Sequence, residues 1–256
     1  MLSNMRTKLA RAALNAKFVN TPVRGIKLHE YQAGAVLDKW RVAIPIGQTA
    51  TSAEGAYEIA KKFDNGCVVK SQILGGGRGL GHFKENGFKG GVHVVDTAEQ
   101  ARDVASKMIG NSLVTKQSGE NGLKVQTVYL VQKLQIDKEM YLSLTLDRAG
   151  GSPVFIYSPA GGMSIEDVAH EDPSKIFKLN VNPFTGPEVE DLMAAADHLG
   201  IPGQRSQLVW LMKSMYDCFW DNDCDMIEIN PLITTKQGKV LAADSKITID
   251  SNAAYR

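Results

Sequence analysis

The sequence predicts an α+β protein, and three observations carry that reading. Amphipathic helical segments alternate with short apolar strands through the first part of the chain; Leu113 to Ser158 is dominated by strand patterns; and one long helical stripe is followed by a final hairpin. KLHEYQAGAVLDKW reads as a helix, with a short extended piece around Val42 to Ile46. TSAEGAYEIAKKFDNG has the signature of a capping box in Thr51 and Glu54, apolar residues at Ala56, Ile59, Ala60 and Phe63, and Gly66 as a stop. CVVKSQIL is a buried strand, a glycine region follows, and GGVHVV is a second strand. TAEQARDVASKMIG repeats the helix pattern with Thr97, Gln100 and Gly110. LVTKQ, KVQTVYLVQ, EMYLSLTLDRA and PVFIYS then read as strands, Leu142, Leu144 and Leu146 alternating at period two. QRSQLVWLMKSMYDCFW carries Leu208, Leu211, Met212, Met215 and Phe219 at helical spacing, a stripe that burial alone demands.

At 256 residues the chain is long enough for one large or two modest domains. Its formal charge of +1 gives no global drive toward nucleic acid or an anionic membrane, and no apolar run approaches the ~20 residues of a membrane span. Three cysteines, Cys67, Cys218 and Cys224, have neither a C-x-x-C spacing nor adjacent histidines, which argues against a disulfide framework or a zinc site and for a reducing compartment. The first 27 residues hold three Arg, three Lys and no acid, the composition of an organelle transit peptide. Residues 1–27 are therefore set aside from the fold, with cleavage expected a little before Leu28 and a mitochondrion or a related organelle as destination.

Two short regions carry chemistry. In VVKSQILGGGRGLG, Val68 to Gly81, a lysine on an apolar run is followed by five glycines in seven residues. Bare backbone beside a fixed cation lets main-chain N–H groups approach an anion closely, phosphate above all. A dinucleotide fingerprint is excluded, because Leu80 or His82 stands where its last glycine belongs, and a Walker loop is excluded because His82 follows Gly81 in place of lysine. The second region is DMIEINPLITTKQGKVLAADSK. Glu228 and Asn230 project from one face of an apolar strand, and Pro231 ends regular pairing. A hairpin centred on Gln237 sets Asn230 opposite Asp244, within reach of one ion. Carboxylate plus amide oxygen with few protein ligands suits Mg²⁺, which keeps waters and takes further ligands from phosphates. A polar turn with Asn and Asp capping the backbone is the alternative.

Lys70, Gly77-Arg78-Gly79, Glu228-Ile229-Asn230-Pro231 and Asp244 together resemble the beta subunits of succinyl-CoA synthetases, which are ATP-grasp proteins. The resemblance runs through LHEYQ at 28 to 32, VVKSQILGGGRGLG, KGGVHVV, LVTKQ, SIEDVA, EINPL and DSNAAYR, in that order. It implies an ATP-grasp fold of two lobes: a larger one from 28–46 and 135–250, a smaller one from 47–134, and 251–256 as a truncated linker toward the family's flavodoxin-like C-terminal domain, which is expected to be missing from these 256 residues.

The activity implied by the resemblance is that of the tricarboxylic acid cycle ligase. Succinyl-CoA, nucleoside diphosphate and phosphate interconvert with succinate, CoA and nucleoside triphosphate, with Mg²⁺ as cofactor and ATP/ADP or GTP/GDP as substrate. A phosphohistidine on a partner alpha subunit, in a heterodimer, carries the phosphoryl group. By the same resemblance Lys70 and Gly77, Arg78 and Gly79 contact phosphates, while Glu139 and the hinge near Gln132 serve the ribose and base end. Asn230 and Asp244 hold Mg²⁺, and Glu228 is the catalytic acid near the incoming phosphohistidine. Many family members have glutamate where Gln132 stands, so backbone contacts are expected at the hinge. A stand-alone ATP-grasp ligase for another carboxylate and a non-catalytic nucleotide-binding subunit are the competing readings.

Overall fold

The computed structural model describes residues 25–253 and Tyr255. The transit-peptide reading falls on residues of which 1–24 lie outside the described ones. Its boundary needs correction: β1 (Ile26–Lys27) pairs with the last strand, Ile26 opposite Ile249 and Lys27 opposite Thr248, so the fold already includes residues set aside with the leader.

Next come α1 (Glu30–Lys39), β2 (Gly47–Ala50), α2 (Ala53–Ala60), β3 (Cys67–Ser71), β4 (His82–Phe83), β5 (Val92–Val95) and α3 (Ala98–Met108). β6 (Ser112–Val114), β7 (Leu123–Lys124), β8 (Val128–Gln132), β9 (Ile136–Asp147) and β10 (Ser152–Ser158) follow. The chain then runs through α4 (Ile165–Glu171), β11 (Phe177–Asn180), α5 (Val189–His198), α6 (Arg205–Asp221), β12 (Cys224–Thr235), β13 (Val240–Ala242) and β14 (Ser245–Ile249).

Three sheets result. The large one has the order β1-β14-β12-β9-β10-β11, with β13 also on β12; a four-stranded one runs β2-β8-β3-β5; and a small one runs β4-β6-β7. The pairings are antiparallel throughout, so each sheet can bury one face against helices. The large sheet shares its core with α1, α5 and α6: Leu142, Leu144, Phe155, Leu192 and Ile227 pack with Leu208, Leu211, Met212, Met215 and Phe219. The helical stripe read from sequence is thus core, as is the start of the alternation on β9. Leu142 and Leu144 are buried, whereas Leu146 reaches the surface near the strand end. The four-stranded sheet has a separate core, in which Ala56, Ala60, Ala101 and Ala105 let α2 and α3 lie close together over Val69, Val128 and Leu130.

Several boundaries differ from expectation for local reasons. The extended piece after α1 runs on into the strand Gly47–Ala50: Val42 packs into the large core, the Ala43 and Ile46 carbonyls accept from Ala242 and Gln132, and from Gly47 the backbone pairs residue by residue with β8. Ser52, not Thr51, caps α2: its hydroxyl accepts the Gly55 N–H at 3.0 Å. Thr97 does cap α3, accepting from Gln100 N at 3.3 Å. Among the described residues no helix is long and apolar enough to cross a membrane.

Candidate functional site

On β3, Cys67 and Val69 enter the core of the four-stranded sheet, so Lys70 faces the other way, toward α1 and the large sheet. Its Nζ donates to Glu30 Oε1 at 2.7 Å and to the Ala243 carbonyl at 2.9 Å. The chain then turns through Gly77, whose φ of +73° is a conformation that disfavours side chains, into a 3₁₀ turn at Arg78–Leu80. The main chain of this turn is held by Gly91, whose N–H donates to the Arg78 carbonyl at 2.8 Å. Fixed there, Arg78 reaches back under the loop. Its Nη1 donates to the Ser71 carbonyl at 3.1 Å, and its Nη2 bridges Glu30 Oε2 at 2.5 Å and Asp244 Oδ2 at 2.6 Å.

Four charged side chains from distant parts of the sequence thus form one balanced knot. The Glu30, Lys70 and Arg78 side chains are 6%, 11% and 12% exposed, and that of Asp244 is 34% exposed. Burying a charge is costly unless it is paired and hydrogen-bonded. Burial works against the Arg78 charge, but Asp244 and Glu30 outweigh it and hold the guanidinium protonated. Burial also pushes the Glu30 carboxyl up, yet Arg78 and Lys70 bring it below its usual value. For Asp244 the balance tips the other way. Burial, aided by the Glu30 charge, leaves its carboxyl above the usual aspartate value despite Arg78 and Lys70.

The last hairpin has the expected register. Leu232 pairs with Ala242 and Ile229 with Ser245, and between them the Asn230 N–H donates to the Asp244 carbonyl at 3.1 Å. Pro231 interrupts pairing and does not end it: β12 continues to Thr235, with a register shift against β9 between Ile229 and Leu232. The Asn230 side chain is engaged elsewhere, its Oδ1 accepting from Gly162 N at 2.9 Å and its Nδ2 donating to the Met163 carbonyl at 2.8 Å. The Glu139 carboxylate lies against the same Gly162, so the loop after β10 joins Glu139 to Asn230. Glu228, beside them on β12, accepts from Lys246 Nζ at 2.8 Å, the partner that an acid in an apolar strand requires. Gln132 stands at the exposed end of β8, where its main-chain N–H donates to Ile46 at 2.8 Å.

Lys70, Arg78 and Asp244 are therefore brought together directly, Asn230 adjoins Asp244 through the backbone, and Glu139 adjoins Asn230 through Gly162. Gly79 is open, with nothing near the place a Cβ would take. Among the described residues no group of three or more His, Cys, Asp or Glu side chains could hold a metal. Asn230 and Asp244 stand opposite each other on the hairpin, with Asn230 Oδ1 taken up by the Gly162 N–H and Asp244 Oδ2 by Arg78, so an ion that completes its shell with water and phosphate would have to draw them from these partners. A surface hollow of about 440 Å³ opens elsewhere, between residues 183–187 and α6, and no candidate residue lines it. Sequence reasoning missed Glu30, Gln72 and Gly161-Gly162. Glu30 and Gln72 lay within LHEYQ and VVKSQ, but their roles appear only when α1 meets β3.

A model of the ATP-grasp domain matches residues 27–234. The chain belongs to the ATP-grasp family. It is 45% identical over 235 residues to the ADP-forming succinate–CoA ligase subunit beta of Opitutus terrae, covering 90% of this chain and 59% of that protein. It is 38% identical over 256 residues to the GDP-forming, mitochondrial subunit beta of Dictyostelium discoideum, covering 100% of this chain and 61% of the relative. The chain thus spans about 60% of the length of these ATP-grasp relatives. The fold is also that of the dinucleotide-forming acetyl-coenzyme A synthetase 1 of Ca. Korarchaeum cryptofilum, solved with coenzyme A and Ca-AMPCP, at a TM-score of 0.63 and 16% identity, over 95% of this chain and 99% of that one.

Proposed function

We propose that this chain is the nucleotide-binding part of a succinate–CoA ligase beta subunit, interconverting succinyl-CoA, nucleoside diphosphate and phosphate with succinate, CoA and nucleoside triphosphate. The observation that carries the proposal is the convergence of Lys70 on β3 and Arg78 in the turn after it with Asp244 between β13 and β14, in an ATP-grasp chain 45% identical to such a subunit. In this reading the four-stranded and large sheets are the smaller and larger lobes, at 47–134 and at 28–46 with 135–250, and the nucleotide lies between them.

Phosphoryl transfer asks a protein chiefly for positioning and charge stabilisation. Lys70 and Arg78 neutralise the phosphates, and the open backbone around Gly77 and Gly79 lets a phosphate approach N–H groups directly. Asn230 and Asp244 hold Mg²⁺, which screens the phosphate charge when bound. Glu139 and the segment at Gln132 contact the ribose and base. Glu228, held by Lys246, faces the phosphohistidine of an alpha-subunit partner. The acid-free leader and the mitochondrial relatives support an organellar destination. The test is calorimetric titration of the chain with ADP and with GDP, each with Mg²⁺. Binding of one or both is expected, and no binding of either overturns the reading.

A further inference from the structure

The proposed nucleotide site contains an acid that no sequence reading assigned. Glu30 is the least exposed member of the knot, and three donors meet its carboxylate: Lys70 Nζ on Oε1 at 2.7 Å, with Arg78 Nη2 at 2.5 Å and Gln72 Nε2 at 3.2 Å on Oε2. It opens α1, where the helix dipole also favours a negative charge. By charge alone a buried carboxylate beside two phosphate-binding cations repels the ligand. Its value must therefore lie in what it does to the cations.

Arg78 Nη2 shares one face between Glu30 and Asp244. Asp244 is the most exposed member and the only one held by Arg78 alone among the side chains, so it is the partner a ligand reaches first. Resting on the nucleotide reading above, we propose that Glu30 is a positioning residue for Arg78: it keeps the guanidinium compensated while Asp244 passes from Arg78 to Mg²⁺. With Glu30 in place, release of Asp244 leaves Arg78 still paired. Without it, release strands a buried cation, a state that costs far more than an intact pair. Mg²⁺ must then compete with Arg78 for Asp244.

The measurable consequence is the coupling between Mg²⁺ and nucleotide, the ratio of the ADP or GDP dissociation constant in EDTA to that in saturating Mg²⁺. In the full chain, Glu30→Gln is expected to lower this ratio by about tenfold. Arg78→Gln removes the competitor and is expected to raise the ratio above wild type, even as phosphate affinity falls. The double variant, Glu30→Gln with Arg78→Gln, is expected to recover at least the wild-type ratio, an outcome that simple loss of packing at Glu30 does not produce. An unchanged ratio in folded Glu30→Gln, or a double variant as uncoupled as Glu30→Gln, overturns the proposal. Should Glu30→Gln fail to fold, Arg78→Gln decides alone: a ratio no higher than wild type overturns it. Absence of nucleotide binding by the wild-type chain is a separate result, which removes the site reading itself.

Discussion

Arg78 and Asp244, 166 residues apart in sequence, meet at 2.6 Å. The contact ties the turn after β3 to the link between β13 and β14, and Lys70 reinforces it by donating to the neighbouring Ala243 carbonyl at 2.9 Å. Glycine-rich backbone and an Asn–Asp hairpin, unrelated in the sequence, are brought into direct contact. The cations and oxygen donors of the proposed site are thus already pre-organised, each satisfied by a neighbour that a ligand has to replace.

Mg²⁺ with ADP or GDP is therefore expected to stabilise the chain cooperatively. At about a hundredfold over the dissociation constant the gain is roughly 2.7 kcal/mol, on the order of 5–10 °C in melting temperature for a chain of this size. Lys70→Ala and Asp244→Ala should each shrink the shift in a thermal melt. A full shift in both variants would remove these residues from the site.

Acid should loosen the knot through Glu30. Arg78 and Lys70 overcome burial and hold its carboxyl below its ordinary 4.5, so the folded state favours the ionised form. Its contribution is complete above 4.5 and is lost as pH falls through the lower folded value. The raised Asp244 carboxyl acts in the opposite sense, its penalty easing as pH falls. Urea unfolding between pH 3 and pH 7, compared for wild type and Glu30→Gln, isolates the first term. The wild type should lose its advantage over the variant as the solution becomes acidic, and parallel curves would refute the assignment.

The loop after β10 should not tolerate a side chain at either of its glycines. At Gly161 a Cβ would run into the Met140 backbone, and at Gly162, where φ is +75°, it would run into the Glu139 carboxylate. Gly161→Ala is expected to cost about 1–3 kcal/mol by overpacking. Gly162→Ala, where the obstruction is a movable side chain, should cost less stability, about 1–2 kcal/mol for the left-handed backbone. Its larger effect should be on nucleotide affinity, through Glu139 and Asn230. Denaturant midpoints and calorimetry on both variants separate the two effects, and a Gly161→Ala variant as stable as wild type contradicts the packing argument.

What the sequence revealed and what it hid divide along physical lines. Period-two and period-3.6 burial is a local signal, so β9, β12 and the α6 stripe were legible, as was the Asn230–Asp244 register, which follows from counting residues about Gln237. α5 and β11 went unread. Val189–His198 is a short helix whose cap, Glu188, makes no side-chain capping bond, and Phe177–Asn180 is a four-residue strand fixed by its pairing to β10. Partner choice was hidden for a different reason. The resemblance assigns Arg78 to phosphate, but that its side chain lies between Glu30 and Asp244 depends on how α1 meets β3, which no local pattern encodes.

The chain alone is not expected to make succinyl-CoA or to become phosphorylated on histidine. Transfer needs a nucleophile in line with the phosphate, and the histidines are differently employed. His198 stacks on Phe177 at 4.4 Å with Nδ1 3.1 Å from the Tyr157 hydroxyl. His93 stacks on Phe88 at 4.6 Å with Nε2 3.0 Å from the Gly90 carbonyl. His82 and His170 lie exposed on a short strand and a helix end. His29 is the informative one, because it precedes Glu30 at the start of α1, and burial together with the Arg78 charge lowers its pKa below 6.5, leaving the ring neutral at pH 7. A neutral imidazole is the nucleophilic form, and His29 adjoins Glu30, the partner of the proposed phosphate-binding cations, so it is the acceptor to test. Incubation with Mg²⁺ and γ-labelled ATP or GTP, followed by a search for acid-labile, base-stable label, makes the comparison. No label is expected on this chain alone, and on the proposed function label is expected on a succinate–CoA ligase alpha subunit when one is added. Label on the wild-type chain that disappears in His29→Ala would place the acceptor on this chain and overturn the proposed partner histidine.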